Sequence, residues 1–539
     1  MPWRQILAWS ALPLALVIWS GTMILKDRSA APTVPTELVK SGVLHGTEGM
    51  DFGPDGMMYA ASMSAFSIVK IDPKTGAVTT VVGPPEMEAE ADDVAVGPAG
   101  TPVAGVVVWT SPPRGQIGIL RPGGKPEILV KDVPGINPIA FNKEGRLFAA
   151  QSGQNDNALW EIDPSGAKPP RLIVKGETRL NGFDFGPDGK LYAPWQTTDK
   201  LVQIDVDSGQ ITVIGTGAGT PSAVSVDANG VVYSAGNDTL WATAPGAAPK
   251  QLAEIQGPFD NLEVGPDGLI YASIVADSKF IVFDPATQKF RDLVPGTMLA
   301  PLAMQMGKKD GKDMLFVADP FGYRFADPAT GAVTRGPWRR NRDSAIAIGA
   351  NEKFTVVLGG GGVAKKIDRA TDEVVAELPA VKGARNMVFT PKEEIVLADT
   401  AGGRLVRVDA DGEHVIAEGL KKPYGLAVDG DAYLVAEMDG GTIARIDSAG
   451  TRTEIAKSLQ SPGAIVRLAD GSIAVIEGTT TVSVVDPKTG AKRTRATGLK
   501  LDTDLIRVPA MTYAGIAAGA DGTLYVSAPH ENKILKLAP

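Results

Sequence analysis

The chain has no cysteine among its 539 residues. That excludes disulfides, thiolate metal sites, cysteine nucleophiles and covalent haem attachment. Histidine is almost as scarce. His45, His414 and His530 are the three, which rules out a multi-histidine zinc or copper site. Positive charge is in deficit, with 53 Lys and Arg against 62 Asp and Glu and a net charge of −9. Nucleic-acid binding calls for a basic face, so no nucleic-acid partner is expected. There is no Gly-x-Ser-x-Gly elbow with a nearby acid and histidine, and no phosphate-binding loop. The one long, mainly apolar run is residues 6–25, preceded by Arg4 and followed by Lys26, Asp27 and Arg28. About twenty apolar residues can span a bilayer, and Ser29, Ala30 and Ala31 supply the small residues of a cleavage site. Residues 1–34 therefore read as a signal peptide or membrane anchor plus linker. The remainder is expected to be exported, either periplasmic or extracellular, or membrane-attached through residues 6–25.

What the sequence has is turns: 62 glycines and 40 prolines, spread along the chain. The run Glu48–Tyr59 carries Gly53-Pro54-Asp55-Gly56 between two apolar-alternating segments, and the pattern returns at 181–192 and 260–271. Weaker copies start near Ala91, Ile136 and Pro221, and further ones follow near Pro301, Ser344, Asn386, Gly425, Gly463 and Gly515. Each unit reads as a strand, a tight turn and further short strands, repeating every 38 to 45 residues in the first half. That is the signature of β-propeller blades. Twelve blades exceed the usual ring of four to eight. The expected fold is all-β: two tandem six-bladed propellers, the first over residues 35–285 and the second over 286–539. Glu37–Ser41 is expected to supply the missing fourth strand of the first ring, and Gln288–Val294 that of the second.

The residue that begins each innermost strand should stand at the channel mouth. In the first ring these are Glu48, Asp92, Asn137, Asn181, Ser222 and Asp260. All carry a side-chain oxygen, and one register places them around one axis. Carboxylates and amide carbonyls in that arrangement suit a hard divalent cation: calcium first, with magnesium, manganese or zinc as other candidates. The alternative is that strand-initial Asp and Asn simply cap turns. The second ring offers a control. Its register gives approximately Ala300, Ser344, Arg385, Tyr424, Gly463 and Ala514, with no carboxylate.

Over about residues 36–295 these residues resemble the SMP-30/gluconolactonase/LRE-like family and its strictosidine-synthase-like relatives. The resemblance implies a single divalent cation at the mouth of a six-bladed propeller, and hydrolysis of a lactone or other ester. It places Glu48, in the pair Glu48-Gly49, with Asn137 and Asn181 as metal ligands; Asp260, in blade six, is the residue that would take the place of the family's remaining aspartate ligand. The family has an aspartate at the start of blade five, where this chain has Ser222. The proton-shuttling carboxylate would then be Asp260 or Asp92. Loops rising around the mouth would bring Trp195, Gln151 and Asn237 to the substrate. A second constellation, His530 with Tyr424, Glu437, Asp439 and Glu477, marks a candidate site in the second ring. A non-catalytic scaffold that binds a ligand or a protein is the alternative to a hydrolase.

Overall fold

The computed structural model describes residues 32–40, 42–152, 157–176, 179–196, 198–236, 238–254, 257, 259–336, 345–501 and 513–539. The expected membrane segment at 6–25 lies outside them. Among the described residues no helix is long and apolar enough to cross a membrane.

The described residues form twelve four-stranded antiparallel sheets. In blades one to six the innermost strands are Thr47–Phe52, Val94–Val96, Ile136–Phe141, Asp184–Phe185, Ala223–Val226 and Phe259–Val264. Each touches the next, and the sixth returns to the first, which closes a ring. In blades seven to twelve they are Met304–Lys309, Ala345–Ala350, Ala384–Phe389, Pro423–Asp429, Pro462–Arg467 and Ile516–Ala518, and they close a second ring in the same way. The chain is two six-bladed propellers.

The Gly-Pro-Asp-Gly turn is explained by its own hydrogen bonds. Gly53 N–H donates to Met57 O, and Gly56, at φ +75°, donates back to Gly53 O. The Tyr59 hydroxyl donates to Asp55 at 3.1 Å. A Cβ at Gly53 would stand 2.7 Å from the Tyr59 ring. The Tyr192–Asp188 and Tyr271–Asp267 bonds repeat the device. The motif therefore builds the blade: glycine makes room for the tyrosine ring, and the aspartate holds its hydroxyl.

Strand closure differs from the expectation. Thr36–Val39 pairs with Lys533–Leu537 and completes blade twelve of the second ring. Blade six is completed by its own Lys289–Val294, which pairs with Lys279–Asp284. Residue 285 thus falls inside a hairpin of the first ring, and the division between the rings follows Val294. The reason is locality. The turn at 285–288 is held by Asp284, which accepts the Ala286 N–H at 2.9 Å and the Thr287 hydroxyl at 2.8 Å, so the nearest strand pairs first.

The rings meet at one seam, made by mouth-end loops of blades one, six, seven and twelve. Asn532 Nδ2 donates to Met298 O at 2.6 Å and reaches Leu44 O at 3.5 Å. Leu299 and Ala300 pack on Met63 and Phe321. Arg324, 1% exposed, donates to Thr297 O and Ala276 O at 3.1 and 2.5 Å. It also lies 3.5 Å from Asp319 and 3.6 Å from Asp277. Arg335 pairs with Asp277 across the same seam. Because these loops stand at the ends where the innermost strands begin, both channel mouths open on the seam side.

Candidate functional site at the first channel mouth

Three of the six first-register residues lie within innermost strands: Glu48, Asn137 and Asp260. Each sits at a register shift, between Thr47 and Met50, Ile136 and Ile139, and Phe259 and Leu262. Such bulges re-aim a side chain out of strict alternation. The second ring has them too, at Pro423/Leu426 and Pro462/Ile465, so the bulge belongs to the blade and the residue on it is the variable. Neighbouring blades are tied at this level. Gly49 N–H donates to Asp92 O at 2.9 Å, and Val224 N–H to Gly182 O at 2.8 Å. The Thr110 hydroxyl donates to Asn137 O at 2.6 Å.

Glu48 is buried, and the other five are half-buried. The side chains of Asn137, Asn181 and Asp260 make no hydrogen bond to any described residue. Ser222 differs: its hydroxyl lies 3.0 Å from Ala235 O and 3.2 Å from Phe259 O and is committed to these carbonyls. In blades one, ten and eleven the turn before the innermost strand is locked by the residue that ends the second strand. Ser62 Oγ accepts the His45 N–H at 3.0 Å. Glu437 and Glu477 accept the N–H groups of Lys421 and Gln460, each at 2.8 Å. All three donors stand three positions before a first-register residue. The side chains of Asn137, Asn181 and Asp260 cap no turn among the described residues.

Below the mouth lies a second polar layer that the repeat pattern hid in its apolar-x-apolar step. Asp51, Asp184, Ser225 and Glu263 share one register, three residues past Glu48, Asn181, Ser222 and Asp260. With Asp93 and Asn261 they surround the channel, and all but Ser225 line a cavity of about 50 Å³. The acids staple blade to blade. Asp51 accepts the Val96 N–H at 2.6 Å, Asp93 the Ile139 N–H at 3.0 Å, and Asp184 the Val226 N–H at 2.8 Å. Asn261 Nδ2 donates to Asp93 at 3.2 Å across the channel. Burial pushes the Asp51 carboxyl up to about 7, raises Asp184, and raises Asp93 and Glu263 well above the usual carboxylate range. Asp92 and Asp260 also repel the charge of Asp93. A carboxyl whose pKa is raised on folding stabilises most below its unfolded value near 4, and that stability is lost as pH rises through the folded value. Glu263→Gln, whose hydrogen-bond partner is the Ser225 hydroxyl at 3.4 Å, is expected to melt above wild type at pH 8, with the gap closing by pH 5. A gap independent of pH would contradict this placement.

The loop residues fall differently. Gln151 is buried, and its amide donates to Pro134 O at 2.8 Å, a bond within its own blade. Trp195 packs against the core between blades three and four, with Lys200 5.3 Å from its ring centroid. Asn237 lies outside the described residues. The second-ring constellation does not assemble. Glu437 pairs with Arg452 and Glu477 with Lys492, Tyr424 is buried against Tyr513, and His530 stands at the seam. Ser344 lies outside the described residues.

Among the described residues, no three His, Asp or Glu side chains are grouped to hold a metal ion by themselves. A cation at the first mouth would need the amide oxygens of Asn137 and Asn181 beside the carboxylates of Glu48 and Asp260. That all-oxygen set fits a hard divalent ion in chemical type.

No family model matches the chain, and no curated protein matches it. Solved structures do. One is a protein assigned as a gluconolactonase, 15% identical over 51% of this chain and 97% of that one, with a TM-score of 0.38. Another is virginiamycin B lyase from Staphylococcus aureus, 15% identical over 53% of this chain and 96% of that one, TM-score 0.38. A gluconolactonase from Xanthomonas campestris is 13% identical over 47% and 90%, TM-score 0.37. Each spans about half of this chain.

Proposed function

We propose that the first propeller is a metal-dependent hydrolase of lactone or ester bonds, acting outside the cytoplasm, with its site at the channel mouth. Glu48, Asn137, Asn181 and Asp260 would hold the cation, calcium first. The observation that carries this reading is that the side-chain oxygens of Asn137, Asn181 and Asp260, at one level of one ring, take no hydrogen bond from any described residue. A bound divalent cation would supply carbonyl polarisation and a more acidic water. The chain's own residues supply the rest. Asp260 or Asp92 takes and returns the proton. The ring of cross-blade bonds fixes the ligand backbone, and burial of Glu48 keeps bulk water from that side.

A chelator is expected to remove hydrolysis of a lactone and ester panel by the full chain, and added calcium to restore it. Turnover indifferent to chelation would defeat the reading. A second reading, a non-catalytic binding scaffold, is favoured by one observation: the Ser222 hydroxyl is spent on two carbonyls, where the family resemblance calls for an acid. Binding of a ligand or partner with no turnover on the same panel would favour it.

A further inference from the structure

Two of the three histidines in the chain come together at the seam. His45 precedes the innermost strand of blade one and is buried. His530 sits in the 3-10 turn Pro529–Glu531 of blade twelve. His45 is pinned to the first ring by its backbone, through Ser62 Oγ and the Ser64 N–H, and the turn that carries His530 is set beside it by Asn532, whose Nδ2 reaches the neighbouring Leu44 O. Both imidazoles have a buried Nδ1 with no hydrogen-bond partner among the described residues. A buried polar atom left without a partner costs free energy, and a proton added there would bring charge with no acceptor.

We propose that His45, set against the turn that carries His530, forms a pH-sensitive latch: the seam is closed while the His45 imidazole is neutral, and its protonation parts the two channel mouths. The other charged groups at the seam are already paired. Arg324 faces Asp319 and Asp277, Arg335 faces Asp277, Lys279 faces Asp277 and Asp292, and Lys533 faces Glu531 and Glu37. Glu48, three residues beyond His45, belongs to the first mouth. Burial, then the neighbouring His530, hold His45 down at about 4, and the Leu299 backbone opposes them. A histidine lowered on closure stabilises the closed state fully above its free value near 6.5. That stability is lost as pH falls from 6.5 toward 4.

The absence of cysteine makes the test direct. Lys175→Cys and Glu418→Cys, on exposed mouth-end positions far from the seam, label the full chain with a fluorescent donor and acceptor. The distance between them is expected to increase between pH 6.5 and 4 in wild type, and to stay constant in His45→Gln/His530→Gln. His530→Gln alone serves as a second variant should the double one fold poorly, and is expected to weaken the pH response. A wild-type distance that does not change with pH, or variants that open with the wild-type profile, would overturn the latch.

Discussion

Arg324→Met is expected to destabilise the second propeller and the seam by about 3–5 kcal/mol, the range for breaking a buried ion pair by removing one partner. The size follows from what is left behind. Asp319 is 0% exposed. It keeps its bonds from the Leu299, Ala300 and Phe321 N–H groups but loses the cation that offsets its burial. Thr297 O and Ala276 O lose their donor as well. Adding Asp319→Asn should recover part of the loss, because the stranded charge is removed and the two sites are coupled. A melting temperature within about 2 °C of wild type would show that the seam does not depend on this arginine.

Asn181→Ala is expected to lower hydrolysis and calcium affinity together, by at least about 10- to 100-fold, the range that even outer-shell partners of a metal carry. Its side chain makes no hydrogen bond within the described residues, so its loss should leave the melting temperature nearly unchanged in metal-free protein. Arg385→Ala, at the corresponding position of the second ring, is the control. Its Nη1 is spent on Lys382 O and Ala384 O, and activity should be retained. Equal activity in Asn181→Ala and wild type would remove the first mouth as the site.

The blades were legible in the sequence because what builds them is local. Gly53, Asp55, Gly56 and Tyr59 satisfy one another within seven residues, so the motif announces a turn wherever it occurs. The polar first register was legible for the same reason, as a fixed distance from that turn. Closure was not. The strand Thr36–Val39 finds Lys533–Leu537 some five hundred residues away, and nothing in four strand residues distinguishes one incomplete blade from another. The inner acids Asp51, Asp184 and Glu263 were in plain view between apolar neighbours. Their common register shows them as a channel layer only once the strands are stood around an axis. The seam and its histidine pair depend on loops of four blades packed end to end, which no repeat pattern encodes.

The proposed hydrolase depends on a divalent cation held at the first mouth by Glu48, Asn137, Asn181 and Asp260. The measurement that tests it most directly is an anomalous-scattering map of crystals grown with calcium. One peak is expected on the axis of the first propeller, with oxygens of these four residues at about 2.3–2.6 Å, and none in the second. A first mouth filled with water alone, or a peak bound by other residues, would contradict it.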